Sequence, residues 1–165
     1  FWQFCDHYIE LVKGRAYREE DLIKKRSALA TLDWALSVFL RLLAPVLPYV
    51  TEEVWSWRYE ELFQTGSIHK NTWPSLTEVD SVSEAPSPKL LPLAIQILSE
   101  VRGAKTTAQK NMKHPVSQLR LKGSEEDTKV ITLLLEDLYR ACSIESHNLE
   151  TVDTDTLGID IVLAD

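Results

Sequence analysis

The side chains in this sequence that could do chemistry are mostly cations. Lys13, Arg15 and Arg18 share one short stretch, Lys24, Lys25 and Arg26 follow, and Arg102, Lys105, Lys110, Lys113, Arg120 and Lys122 fall in a segment, 101 to 122, without an acidic residue. Lysine and arginine at that density suit phosphate, the ammonium as a point charge and the guanidinium as a planar fork. Positive charges without balancing carboxylates repel one another until something anionic arrives. The run at 24 to 26 follows Glu19, Glu20 and Asp21, so a solvated helix face accounts for it equally well.

Other site chemistry is missing. The sequence holds no P-loop, G-x-G-x-x-G, G-x-S-x-G or H-E-x-x-H pattern, and only 5 glycines. His7, His69, His114 and His147 are isolated from one another in sequence. Glu52 and Glu53 are adjacent, and neighbours on a helix point about 100° apart, so they do not converge as acid and base. Cys5 and Cys142 lack the C-x-x-C spacing of a zinc or redox site and stand too far apart in sequence to suggest a disulfide framework. No catalytic, cofactor-binding or metal-binding residue is expected, and the compartment is expected to be reducing.

The elements that must position the cations follow from periodicity. With 165 residues, 44% of them hydrophobic, the chain can bury one core or two small ones. Phe1, Phe4, Tyr8, Leu11 and Val12 predict a first helix that has no cap, as though it began upstream, and that breaks at Gly14. A second helix, from about Glu19 to Ala44, carries a seam of Leu29, Leu32, Leu36, Phe39 and Leu43 and ends at Pro45. Thr51 reads as the N-cap of a third helix that buries Val54, Trp55, Tyr59 and Leu62 or Phe63 and stops near Gly66. An ordered crossover near Trp73 and a looser linker lead to Pro88. A fourth helix, from Ser87 or Lys89, buries Leu91, Ala94, Ile95, Leu98 and Val101.

After Pro115 the pattern changes. "VSQLRL" alternates as a strand does, Ser124 with Asp127 forms a capping box before a helix bearing Val130, Ile131, Leu134, Leu135 and Leu138, and two more strands follow. The expected fold is therefore mainly α. An antiparallel helical bundle over 1–113 precedes a small β-α-β-β module over 114–165 that packs on it.

The net charge of −7 opposes indiscriminate polyanion binding, with 2 basic residues against 11 acidic ones after residue 122. A basic segment in an acidic chain still binds nucleic acid locally, and the acidic remainder penalises contact elsewhere. No run approaches the roughly 18 apolar residues of a membrane span, and the first residues lack the pattern of a signal peptide. A cytoplasmic protein without membrane contact is expected.

Four stretches carry a resemblance: "FCDHYIELVKGRAY" at 4–17, "LLAPVLPYVTEEVW" at 42–55, "SIHKNTWP" at 67–74 and "ILSEVRGAK" at 97–105. In that order they resemble the anticodon-binding region of class I aminoacyl-tRNA synthetases, over most of residues 1–113. The proline corner leading to T-E-E-x-W, followed by S-x-H-x-x-x-W-P, is similar to the valine, isoleucine and leucine branch, and "YIELVK" looks like the valyl form. Lys13-Gly14-Arg15-Ala16-Tyr17 departs from the isoleucyl pattern. The tail after 114 resembles the small module that follows the bundle in valyl enzymes.

The resemblance implies a fragment. Catalytic and editing domains, with the ATP and Mg²⁺ used by the full-length ligase, would lie upstream, so the piece alone would be inactive and carry no cofactor. Its partner would be the anticodon stem-loop of tRNA(Val), and it would act as a monomer. Backbone contacts are expected from Lys13, Arg15, Arg18, Arg102, Lys105, Lys110 and Lys113, of which Lys13, Arg15 and Arg102 occupy motif positions and the rest are chosen by charge. The alternatives are the matching domain of an isoleucyl or leucyl enzyme, or a helical interaction scaffold that binds no RNA.

Overall fold

Helical periodicity up to residue 107 and strand alternation after Pro115 set the order of the elements. The structure is a computed structural model that describes residues 2–18, 20–64, 66–79, 87–154 and 156–164. A π-helical stretch, Gln3–Tyr8, runs into α1 (Ile9–Arg18). Then come α2 (Leu22–Leu43), α3 (Pro48–Arg58), the one-turn α4 (Glu60–Phe63) and 3₁₀ turns at Ile68–Lys70 and Leu76–Val79. The remainder is α5 (Leu90–Thr107), β1 (Val116–Gly123), α6 (Glu125–Cys142), β2 (His147–Thr151) and β3 (Gly158–Leu163). The molecule is mainly α with a small sheet module at its C-terminal end, as expected. Glu19 and most of the expected linker, 80–86, lie outside the described residues.

The compact units divide the chain differently from a boundary at 113/114. One comprises Phe1–Glu20 with Ala85–Asp165, the other Asp21–Glu84. The reason is the apolar stripe of α6, which needs cover on the side away from the sheet. Leu11 of α1 and Leu93, Ala94, Ile97, Leu98 and Val101 of α5 share one core with Val130, Ile131, Leu134 and Leu138. Both ends of the expected bundle thus belong with the sheet module.

In the first unit β1 is the central strand, parallel to β2 and antiparallel to β3. Its residues Val116, Leu119 and Leu121 are fully buried. Val116 and Leu119 share a face although they are three apart, because the register against β3 shifts between Val116 and Gln118. The Ser124 hydroxyl accepts the Asp127 N–H at 3.1 Å, as the capping box requires. Gly14 does not end the first helix: α1 continues through it to Arg18.

The second unit is built on the proline corner. Asp21 caps α2 by accepting the Ile23 N–H at 2.8 Å, and α2 ends just before Ala44 and Pro45. Pro48, not Thr51, opens the next helix, where its fixed φ and missing N–H fit the first turn. Thr51 is buried inside α3 and donates to the Leu47 carbonyl at 2.8 Å. The core is Leu40, Ala44, Trp55, Tyr59 and Ile68.

The expected seam on α2 is misplaced. Leu29, Leu36 and Leu43 remain 46%, 42% and 37% exposed, while Ala28, Ala35, Leu40 and Ala44 are buried. The helix is apolar on more than one side, and the short turn between α2 and α3 selects the face that α3 meets. In the third helical stretch Trp55 and Tyr59 are buried as expected, Val54 only partly, whereas Leu62 and Phe63 stay exposed.

Glu52 joins two of the stretches that carried the family resemblance. Its Oε2 accepts the Ser67 hydroxyl at 3.0 Å and the Ile68 N–H at 2.9 Å, which seats Ile68 against Trp55 and Tyr59. His69 Nε2 lies 3.3 Å from the Pro48 carbonyl. Glu52 therefore caps the crossover rather than its own helix.

Candidate nucleic-acid interface

All seven candidate cations belong to the first unit, and its packing separates them by role. α1 lies along α6 closely enough that a Cβ on Gly14 would fall 2.6 Å from Arg140 Cδ and 2.9 Å from its Cβ. One turn of that contact is electrostatic: Arg15 Nε and Asp137 Oδ1 are 2.9 Å apart. No N–H of Arg15 is aligned on that oxygen, so the contact is an ion pair without a hydrogen bond. Burial pushes the Asp137 carboxyl above its ordinary value, against the pull of Arg15. Arg15 is thus spent on helix packing.

Lys105 departs most from expectation. Its side chain is 1% exposed, and Nζ donates to the carbonyls of Met112 at 2.9 Å and Cys142 at 2.7 Å. Burial lowers its pKa below 10.5. A lysine this enclosed cannot meet a phosphate; it ties α5 to the turn after it and to the end of α6. Arg102 is half-buried and donates from Nη1 to the Asp6 carbonyl at 2.9 Å.

Lys13, Lys110 and Lys113 are exposed. Lys13 sits 3.3 Å from Glu10, and both side chains are open to water. Lys110 and Lys113 stand in the turn that follows α5, which is held by the Lys110 N–H on the Lys105 carbonyl and the Lys113 N–H on Asn111 Oδ1, both at 2.9 Å. The Arg18 side chain lies outside the described residues. Arg120 and Lys122, acid-free by sequence, are balanced across the sheet by Asp160 at 3.4 Å and Glu150 at 2.9 Å. Acids far away in the chain thus neutralise part of the basic segment.

Two hollows flank this region. One, of about 630 Å³, is bordered by Cys5, Asp6, His7, Arg102 and Cys142. His7 Nδ1 is buried there without a hydrogen bond, and burial pushes the Cys142 thiol up to about 11, which leaves it an inert core group. The other, of about 880 Å³, is bordered by Lys13, Gly14, Tyr17, Asn111, Lys113 and Arg140, and both include Glu10, Met112 and Ala141. The second gathers two of the expected cations and adds Arg140, which the sequence reading missed because it stands in the acidic last third of the chain. Arg140 carries Glu136 at 3.0 Å. Among the described residues no group of three or more His, Cys, Asp or Glu side chains could hold a metal ion, and no helix is long and apolar enough to cross a membrane.

Residues 1–120 match the family described as the anticodon-binding domain of tRNA ligase. The chain belongs to that family. It is 41% identical to a valine–tRNA ligase of Thermobifida fusca over 99% of this chain and 18% of that protein. Against the valine–tRNA ligase of Salinispora tropica the identity is 40%, over 94% and 19%, and against that of Tropheryma whipplei it is 36%, over 97% and 17%. The chain therefore spans less than a fifth of the length of these curated relatives. The family match reaches into β1, and the relatives are similar through the sheet module as well. Their names agree with the valyl likeness of "YIELVK". Of the cations expected to meet RNA, the exposed Lys13, Lys110 and Lys113 lie on α1 and in the turn after α5.

Proposed function

We propose that this anticodon-binding domain grips the anticodon stem-loop of tRNA(Val) within a protein that ligates valine to tRNA. The observation that carries the reading is the convergence of Lys13, Lys113 and Arg140, from three separate segments, on one hollow of the first unit. Lys110 extends the same basic turn. Phosphate contacts of this kind fix the register of the RNA, and unstacked loop bases supply sequence information. Holding the far end of the tRNA helps to orient its acceptor end at a distant catalytic site. In the proposed full-length enzyme ATP and Mg²⁺ are used by residues outside this chain, the setting is cytoplasmic, and the isolated chain acts as a monomer that neither activates valine nor charges tRNA. Of the expected set, Lys105, Arg15 and Arg102 are left out, because each is committed to an internal contact, and Arg18, because its side chain lies outside the described residues.

Titrating the chain with tRNA(Val) transcript at several salt concentrations tests the proposal. With about four phosphates contacted, the logarithm of the affinity should fall against the logarithm of salt with a slope near −3. Absence of binding in low salt, where phosphate contacts are strongest, would leave a scaffold that contacts no RNA. Weaker binding to tRNA(Ile) and tRNA(Leu) is expected, and equal or tighter binding to either would move the assignment to that branch.

A further inference from the structure

We infer that Lys105, although sealed in the core, is a positioning residue for RNA binding: its ammonium sets the turn after α5 so that Lys110 and Lys113 are presented to phosphates. This rests on the RNA-binding reading above and deepens it, from which cations meet the RNA to what holds them in place.

The turn cannot be held by apolar burial. Residues 106–113 are all exposed, so hydrogen bonds must fix this segment. The chain leaves α5 through Gln109, whose φ of 54° is left-handed, a conformation that a residue with a Cβ keeps only where neighbouring contacts impose it. Lys105 supplies two of those contacts. Its carbonyl accepts the Lys110 N–H at 2.9 Å, and its Nζ donates to the Met112 carbonyl at 2.9 Å. The second Nζ bond, 2.7 Å to the Cys142 carbonyl, roots the ammonium at the last residue of α6.

The consequence falls on Lys113. The peptide unit between Met112 and Lys113 is planar and trans, so its C=O and N–H point in opposite directions. The C=O is held by Lys105 and the N–H by Asn111 Oδ1 at 2.9 Å. With both groups bonded the plane is fixed, and with it the direction in which the Lys113 side chain leaves the backbone. Lys110, whose own N–H is tied to the Lys105 carbonyl, is fixed from the other side of the turn.

Core packing alone does not call for a cation at this position. An enclosed ammonium loses its hydration, and Lys105 has only backbone carbonyls as partners. A methionine of similar length would fill the space without that penalty, but it could not hold carbonyls of two segments together. What the ammonium adds is an ordered turn, and a cation ordered in advance loses less freedom when it meets its ligand.

Binding of a tRNA(Val) transcript to the chain, followed by fluorescence anisotropy at several salt concentrations, tests the inference as a mutant cycle. Lys110→Gln combined with Lys113→Gln should lower the salt slope by about two. Lys105→Met, assayed well below its melting temperature, should weaken binding about tenfold in the parent chain, as two side chains must then be ordered on binding. In the background with both turn lysines changed to glutamine, the same substitution should cost less than about twofold. Amide order parameters at Lys110, Met112 and Lys113 should fall from about 0.85 to below about 0.6 in Lys105→Met, while those of β1 stay high. A lysine that only stabilises the fold would weaken binding equally in both backgrounds and leave the turn rigid, and either result overturns the inference. If Lys105→Met does not fold, Asn111→Ala decides, since it frees the same Lys113 N–H from the surface: its loss of affinity should vanish in the Lys113→Gln background, and a loss that persists there overturns the inference. If the doubly substituted turn binds tRNA as the parent does, the turn is not in the interface and the inference fails, while the RNA reading stands on the remaining cations. If no tRNA binds even in low salt, both fall.

Discussion

The two units bury charge for different reasons. The first has a broad aliphatic core of sheet, α1, α5 and α6, and holds one enclosed cation, Lys105, on backbone carbonyls alone. The second has a small aromatic core, with Trp55 and Tyr59 rings 5.0 Å apart, and depends on polar clasps around it. Arg41 on α2 is buried and meets Glu78 through two hydrogen bonds of 2.9 and 2.6 Å, Glu52 holds the crossover, and Asp33 accepts the Tyr59 hydroxyl at 3.0 Å. A core too small to fix a long crossover by apolar burial needs directional contacts to do so. The larger core leaves its outer cations unneeded for folding, and that is where binding is proposed.

The comparison can be broken most directly at Trp55. Trp55→Ala should cost about 3–5 kcal/mol, seen as a lower urea midpoint for the second unit, whereas Leu43→Ala, at a half-exposed site, should cost under about 1 kcal/mol. Equal effects would mean that the aromatic cluster is not the core. Next, Lys105→Met should destabilise the first unit by about 1–3 kcal/mol, because two buried carbonyls lose their donor. Hydrogen exchange of the β1 amides reports it, and unaltered protection would show that the ammonium is dispensable. Reversing Lys105 to glutamate should damage folding, so it is unsuitable as a probe of RNA contact.

A smaller effect separates the units by pH. Hydrogen bonding to Arg41, then the Ser75 N–H, holds the Glu78 carboxyl below its ordinary 4.5. The unfolded chain therefore takes up that proton first as pH falls. The stabilisation is complete above about 4.5 and is lost as pH drops through the lower folded value. Tryptophan fluorescence of a Trp2→Phe background follows the second unit, which holds Trp34, Trp55, Trp57 and Trp73. Glu78→Gln should flatten its acid dependence, and an unchanged profile would remove the Arg41 clasp from the account. The smallest signal is chemical. Cys142, fully buried with its thiol pushed up to about 11, should resist alkylation at pH 8 until the first unit unfolds, while the half-buried Cys5 reacts sooner.

Much of the secondary structure was legible because it rests on local rules. Pro45 stops the helix that runs into it, Ser124 with Asp127 caps one, and "VSQLRL" alternates as a strand does. Register within helices was less legible. α2 carries leucines on several sides, and only the position of α3 decides that Leu40 and Ala44 are inside while Leu36 and Leu43 are not. The candidate site was half legible. Lys13 and Lys113 could be chosen by charge, but nothing in the sequence around Lys105 or Arg15 shows that the carbonyls of Met112 and Cys142, or Asp137 of α6, have already claimed them.

By itself the sequence determined the element types, the basic character of one segment and the likeness to anticodon-binding domains, since composition, capping and periodicity act over a few residues. Tertiary structure decided which cations are available. A charge is free for a ligand only if nothing folded beside it is a better partner, and those partners come from anywhere in the chain. Long-range packing put Arg140 into the hollow beside Gly14, gave Arg120 and Lys122 their acids, and sealed Lys105 inside.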